Sequence, residues 1–303
     1  MKILRFNDDR IGVLKNGDRV VDVSNTIQYR VEKGAQRVIE EVIEGFDSRR
    51  REYEQIVSRE SGTPLSNVKL LVPVPRPSKC LAAFSNYADS PDRKPATMYN
   101  EYFHKAPELL GPEGTVQLLD IPPVAVFQPE AELAFVIGKH AKNVTEADAM
   151  NYIFGYVPFV DISARGMVRR TQFVPKGQDT YGPCGPWITT RDEVPDPHDV
   201  NVKSWVNGQP RQDYNTKYMV HNLPDQIAWL TKHIQLQPGD VIATGTYHVG
   251  LGPINDGDVL EIEIVNMGKA RFFIKGHGPR KETAWLPGKS QPTKPTEGSI
   301  HKV

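Results

Sequence analysis

Apolar and polar residues alternate in short runs along most of this chain, and a period of two predicts strands. Near the start, residues 3–6, 11–15 and 19–23 carry it. Asn16-Gly17 supplies the turn between the last two, since both residues tolerate positive φ. A helical period follows over 32–45, with Val38, Ile39, Val42, Ile43 and Phe46 on one stripe. Residues 49–59 continue as a polar helix. Pro73-Val74-Pro75-Arg76-Pro77 cannot be regular structure and marks a boundary.

Beyond that boundary, strands are predicted at 80–84, 115–119, 133–137, 153–160, 187–190, 202–206, 241–244, 259–265 and 271–274, with Asn207-Gly208 as a second hairpin turn. Two more helices are predicted. Residues 145–152 open with Thr145 and Asp148 in capping positions. Residues 224–234 place Ile227, Leu230 and Ile234 on one face, with Ala228 beside it. Many strands and few helices indicate a β-rich α+β class rather than a doubly wound sheet. The expected organisation is a small N-terminal α/β domain over 1–72 and a main domain over 73–287. The tail over 288–303 is rich in Pro, Lys, Thr and Ser and is expected to be disordered.

Composition narrows the function classes. The 303 residues balance 37 Lys and Arg against 37 Asp and Glu. A net charge of zero argues against an extended nucleic-acid or anionic-membrane surface. No apolar run approaches the roughly 18 residues of a membrane span. The first ten residues lack the apolar stretch of a signal peptide, so a cytoplasmic protein is expected. Cys80 and Cys184 are too few for a secreted disulfide framework. Cys184 sits in a Gly/Pro turn with nothing nearby to lower its pKa, which makes it a poor nucleophile.

The candidate chemistry lies at two strand ends. In Pro129-Glu130-Ala131-Glu132-Leu133, the period of two points Glu130 and Glu132 the same way. The run 154–160 ends abruptly in Asp161. Like charges at the mouth of buried strands resist ionising and need a counter-charge. Three carboxylates make an all-oxygen donor set, suited to Mg²⁺, Mn²⁺ or Ca²⁺ and not to the Cys/His sites of zinc. Lys176 lies in a Gly/Pro-dense loop and is a candidate to hold a substrate anion or stabilise an enolate. A strand running into Thr244-Gly245-Thr246-Tyr247-His248-Val249-Gly250 can converge backbone N–H groups on an anion. It has neither the Walker A ending nor a dinucleotide fingerprint.

Taken in order, these segments resemble the fumarylacetoacetate hydrolase family. The matching runs are Asn86-Tyr87-Ala88-Asp89, Glu130 through Ala134, Phe154-Gly155-Tyr156 through Asp161-Ile162-Ser163-Ala164-Arg165, Lys176 through Thr180, Val206-Asn207-Gly208, Pro238 through Ile242 and Thr244-Gly245-Thr246. The resemblance implies a mixed β-sandwich roll, usually a homodimer. It implies Mg²⁺ or Mn²⁺ held by Glu130, Glu132 and Asp161. It further implies that Lys176 contacts a small-molecule carboxylate substrate and that Thr246 helps hold its carboxylate, with Tyr87 a further substrate-binding candidate. Family activities are acylpyruvate hydrolysis, decarboxylation, hydration and keto–enol isomerisation of 2-oxo acids and 1,3-dicarbonyls.

One segment departs from the family pattern. Family hydrolases read Asn-Tyr-x-x-His-x-x-Glu, and that His/Glu pair activates water. This chain has Ser90 and Arg93 at those positions. Serine cannot take a proton from water near neutral pH as imidazole can. His248 is the leading replacement base, with His104, Asp89 and Asp92 as others. Arg93 could clamp a second substrate carboxylate. The expected function is metal-dependent hydrolysis of a C–C bond in a 1,3-dicarbonyl or 2-oxo acid. The alternatives are an isomerase, decarboxylase or hydratase acting on the same chelate, or a metal-dependent binding protein without catalysis.

Overall fold

The computed structural model describes residues 1–27, 34–89, 94–119, 124, 126–166 and 171–276. Its first strands are β1 (Lys2–Phe6), β2 (Arg10–Lys15) and β3 (Arg19–Asp22), then α1 (Ala35–Arg59) and the short β4 (Thr63–Pro64) and β5 (Leu70–Leu71). Next come β6 (Cys80–Ala83), β7 (Tyr102–His104), β8 (Thr115–Gln117), β9 (Val126–Ile137), α2 (Glu146–Ala149), β10 (Ile153–Arg165) and α3 (Phe173–Lys176). The chain continues with β11 (Ile188–Thr190), β12 (Asn201–Val206), β13 (Gln209–Asn215), α4 (Leu223–His233), β14 (Val241–Ala243), β15 (Val259–Ile264) and β16 (Gly268–Lys275).

Among the described residues the strands form two sheets. The larger runs β4-β3-β2-β1-β11-β10-β9-β14-β6-β7, and β5 pairs with β1. The smaller runs β13-β12-β15-β16-β8. Only β14–β6 and β16–β8 pair in parallel among these named strands. The fold is α+β and rich in strands. Pairing of β1 with β11 joins the N-terminal strands to the rest of the larger sheet.

The two faces of β9 and β10 are buried by different partners. On one face, Leu133, Phe135, Tyr156 and Val160 share a core with Val202, Leu260, Ile262, Ile264 and Phe272 of the smaller sheet. On the other face, Ala134, Val136 and Val157 share a core with Val38, Ile39, Val42, Ile43 and Phe46 of α1. Phe46 meets Phe154 edge-on, with ring centroids 5.2 Å apart. The stripe expected on the first helix is therefore the stripe that covers this face. Residues 32 and 33 of that predicted helix lie outside the described residues, as does the tail over 288–303.

Several elements differ from the hydrophobic pattern. The two helical segments 32–45 and 49–59 merge into one 25-residue α1. The strands predicted at 133–137 and 153–160 extend to Val126–Ile137 and Ile153–Arg165. Pattern reading stops a strand where charges begin, yet here Glu130, Glu132, Asp161 and Arg165 are buried inside the paired strands. Strand β7 carried no sequence signal, being only three residues long. Strand β13 was missed because it is largely polar, although the Asn207-Gly208 turn feeding it was legible. The caps agree with expectation: the Thr145 side chain accepts from the Asp148 N–H. No helix of the described residues is long and apolar enough to cross a membrane.

Candidate active site

The site grows out of the register between β9 and β10. Glu130 lies directly opposite Asp161, and Glu132 lies opposite Phe159. Cross-strand partners share a face, so all three carboxylates project from one side of the sheet. They are the same side, and the next positions along, as the apolar residues covered by α1. Each is buried, and one ligand oxygen from each lies within 4.8 Å of the others. Like charges directly opposite one another are destabilising unless something neutralises them.

Two lysines supply part of that neutralisation. Lys176, at the end of α3, donates from Nζ to Glu130 Oε2 at 2.7 Å and also to Asp161. The ring of Phe103 lies beneath its ammonium, 4.9 Å from Nζ to the centroid. Lys105 Nζ donates to Asp161 Oδ1 at 2.6 Å, to the Ile162 carbonyl at 3.4 Å and to the Lys176 carbonyl. Burial pulls the Lys105 pKa below its usual value, against the neighbouring Asp161 carboxylate, which favours the charged form. Arg165 adds a bond to Glu130, and its Nε donates to Gln128 Oε1 at 3.0 Å.

The two glutamates are driven apart electrostatically. Burial disfavours the Glu130 anion, but the Lys176 and Arg165 cations outweigh it and hold Glu130 well below the ordinary carboxylate range. Burial, with the nearby negative charges of Asp161 and Glu130, pushes Glu132 well above that range. Its hydrogen bond comes from a backbone group, the Gly245 N–H at 2.8 Å. Gly245 has φ +90°, and a Cβ there would lie 2.9 Å from the Asn86 Cβ. Both facts call for glycine where the loop turns its N–H to the site.

The donor set fits a divalent cation. Three clustered oxygen ligands, one of them short of positive partners, suit a hard ion that keeps open positions for water or substrate. Glu130, Glu132 and Asp161 are the residues that would hold it.

The loop after β14 closes the other side. His248 Nδ1 lies 2.7 Å from Asp89 Oδ2, and His248 Nε2 lies 3.8 Å from Glu130 Oε1. Thr246 is buried with its hydroxyl engaged. It donates to the Ala131 carbonyl at 2.8 Å and accepts from Gln212 Nε2 at 2.8 Å. Gln212 also accepts from the Ala131 N–H at 3.0 Å and donates to the Tyr247 carbonyl at 2.6 Å. Tyr87 is fully buried and meets Tyr214 edge-on, ring centroids 5.3 Å apart. Burial and the nearby Glu132 charge push its phenol well above the usual value.

The candidates from sequence thus separate. Glu130, Glu132, Asp161, Lys176 and His248 converge, with Asp89 bonded to His248. Tyr87 and Thr246 support the walls. Arg93, Ser90 and Asp92 lie outside the described residues. His104 is exposed, because β7 turns Phe103 inward and His104 outward; Lys105 is the next inward position. Once β7 and the full length of β10 are known, alternation from Phe103 gives Lys105 and alternation from Asp161 through Ser163 gives Arg165. Gln212 carried no signal. Cys184 is buried in apolar surroundings, which pushes its thiol well above the usual value, as expected for an inert cysteine.

The family model for the fumarylacetoacetate (FAA) hydrolase C-terminal domain matches residues 79–275, and the chain belongs to that family. Maleylpyruvate hydrolase of Aquipseudomonas alcaligenes is 31% identical over 292 residues, covering 91% of this chain and 99% of its own. The human mitochondrial oxaloacetate tautomerase FAHD2A is 35% identical over 223 residues, covering 68% of this chain and 69% of its own. The crystal structure of maleylpyruvate hydrolase from Sphingobium sp. SYK-6 with manganese(II) and pyruvate superposes with a TM-score of 0.81 at 33% identity, covering 92% of this chain and all of that one.

Proposed function

We propose that this protein is a divalent-metal-dependent hydrolase that cleaves the C–C bond of an acylpyruvate-type 2-oxo acid. The observation that carries the proposal is the buried Glu130–Glu132–Asp161 cluster flanked by Lys176 and by His248 Nε2. The maleylpyruvate hydrolase relatives, one of them seen with manganese and pyruvate, support the reaction class and favour Mg²⁺ or Mn²⁺ as the cation.

A bound cation supplies Lewis-acid polarisation of the 2-oxo group, lowering the cost of the enolate charge. Lys176 sets its ammonium beside the same carboxylates, where developing oxyanion charge is stabilised. His248 Nε2 draws the proton from a water that attacks the distal acyl carbonyl. The broken C–C bond leaves its electron pair on the pyruvate fragment, which the imidazolium then reprotonates. The Thr246 hydroxyl is spent on Ala131 and Gln212, and the N–H groups of Thr244, Gly245 and His248 on Leu133, Glu132 and Asp89, so the backbone N–H groups of Thr246 and Tyr247 are the ones this loop offers to the substrate carboxylate. Tyr87 packs beneath as a rigid wall.

A second reading, a 2-oxo acid isomerase or tautomerase, is favoured by the likeness to a protein named for oxaloacetate tautomerisation. It needs only a proton shuttle at His248. A homodimer is proposed from the family likeness, and a cytoplasmic location from the two free, buried cysteines. The test is incubation with acylpyruvates, oxaloacetate and ring-fission diacids under Mg²⁺ or Mn²⁺, followed by mass spectrometry. Pyruvate plus a carboxylic acid, suppressed by chelator, is the expected outcome. Unchanged mass with a changed ultraviolet absorbance of the enol assigns the isomerase, and neither change in the whole panel sinks both.

A further inference from the structure

We infer that Asp89 is a positioning residue that sets the direction of the His248 imidazole. Its side chain is 2% exposed. One oxygen, Oδ2, accepts from the His248 backbone N–H at 2.6 Å and meets ring Nδ1 at 2.7 Å. Two donors on one oxygen fix both the main chain and the ring of the same residue. An ionised carboxylate only accepts, so Nδ1 carries the proton. That tautomer leaves Nε2 facing the carboxylate cluster, 3.8 Å from Glu130 Oε1.

The mounting is itself anchored. Asn86, three residues before Asp89, is buried. Its amide donates to the Thr244 carbonyl at 2.8 Å and to the His221 carbonyl at 3.1 Å, and its oxygen accepts from the His221 N–H at 2.8 Å. The 86–89 segment is therefore stitched to the 244–248 loop at both ends. A histidine held by a carboxylate is the arrangement that fixes tautomer and ring orientation in general. Here the two partners come from segments far apart in sequence, and Asp89 precedes the Ser90 and Arg93 positions where the family pattern has His and Glu.

The inference rests on His248 being the base, and the experiment separates the two ideas. In the full-length protein, Asp89→Ala is expected to lower kcat on the order of 10²-fold with KM within about threefold, the size of a misaimed general base. In metal-free protein, ¹⁵N NMR of the His248 ring is expected to show a lost Nδ1–H preference in Asp89→Ala. Asp89→Asn is expected to retain that preference and most of kcat, since one amide oxygen can accept both donors. Wild-type kcat and an unchanged ring tautomer in Asp89→Ala overturn the inference. So does an equal kcat loss in the alanine and asparagine variants with the tautomer intact in both. If His248→Ala keeps kcat, the base reading fails while the tautomer measurement still decides the positioning.

Discussion

One face of the β9–β10 pair is divided into two regions with opposite solutions to burial. At one end, Ala134, Val136 and Val157 meet the apolar stripe of α1, and removal from water is favourable in itself. At the other end, Glu130, Glu132 and Asp161 are equally buried, yet burial there is costly unless opposite charge accompanies it. Lys105, Lys176 and Arg165 supply cations to Glu130 and Asp161, while Glu132 receives a backbone N–H and is pushed toward its neutral form. The same strands build both ends. The difference teaches that stability comes from the α1 side and that the carboxylate side is held in an arrangement completed by a bound cation.

The division can be broken from either end, and the larger effect is expected at the charged one. Lys105→Met removes a buried ammonium and leaves Asp161 with Lys176 as its remaining cation. A loss of about 3 kcal/mol is expected, the low end for breaking a buried pair. Denaturant titration checks it, and saturating Mn²⁺ should recover part of the loss by taking over the Asp161 charge. No recovery would mean that the cation does not share that carboxylate. At the apolar end, Val136→Ala should cost about 2 kcal/mol through lost burial and a small cavity. Its kcat at 25 °C should stay at the wild-type value. A matching loss of kcat would show that the two ends are not separable.

Much of this division was visible in the amino-acid order, for a physical reason. Period two places Glu130 and Glu132 together regardless of what surrounds them, and the apolar run before Asp161 announces a buried strand end. The stripe on α1 was legible from Val38 to Phe46, while its continuation at the buried Tyr53 was not, because residues 49–59 read as a polar helix. What could not be read is where charges continue inside a strand. Arg165 and Gln128 extend the same face, but a charge in sequence resembles a strand terminus until its partner strand is known. Lys105 was hidden for a similar reason, since a lysine in a short loop is ordinarily solvated. The pairing of Asp89 with His248 depends on loop geometry across 159 positions, and no local pattern encodes it.

The central claim is that Glu130, Glu132 and Asp161 are held together to bind a divalent cation. Isothermal titration of Mn²⁺ and Mg²⁺ into metal-stripped protein, with Glu132→Ala alongside, tests it most directly. Saturable binding at one ion per chain is predicted for the wild-type protein, with affinity lost in Glu132→Ala while that variant keeps its folded circular dichroism. Equal binding by both proteins, or no saturable binding by the wild type, would contradict the account.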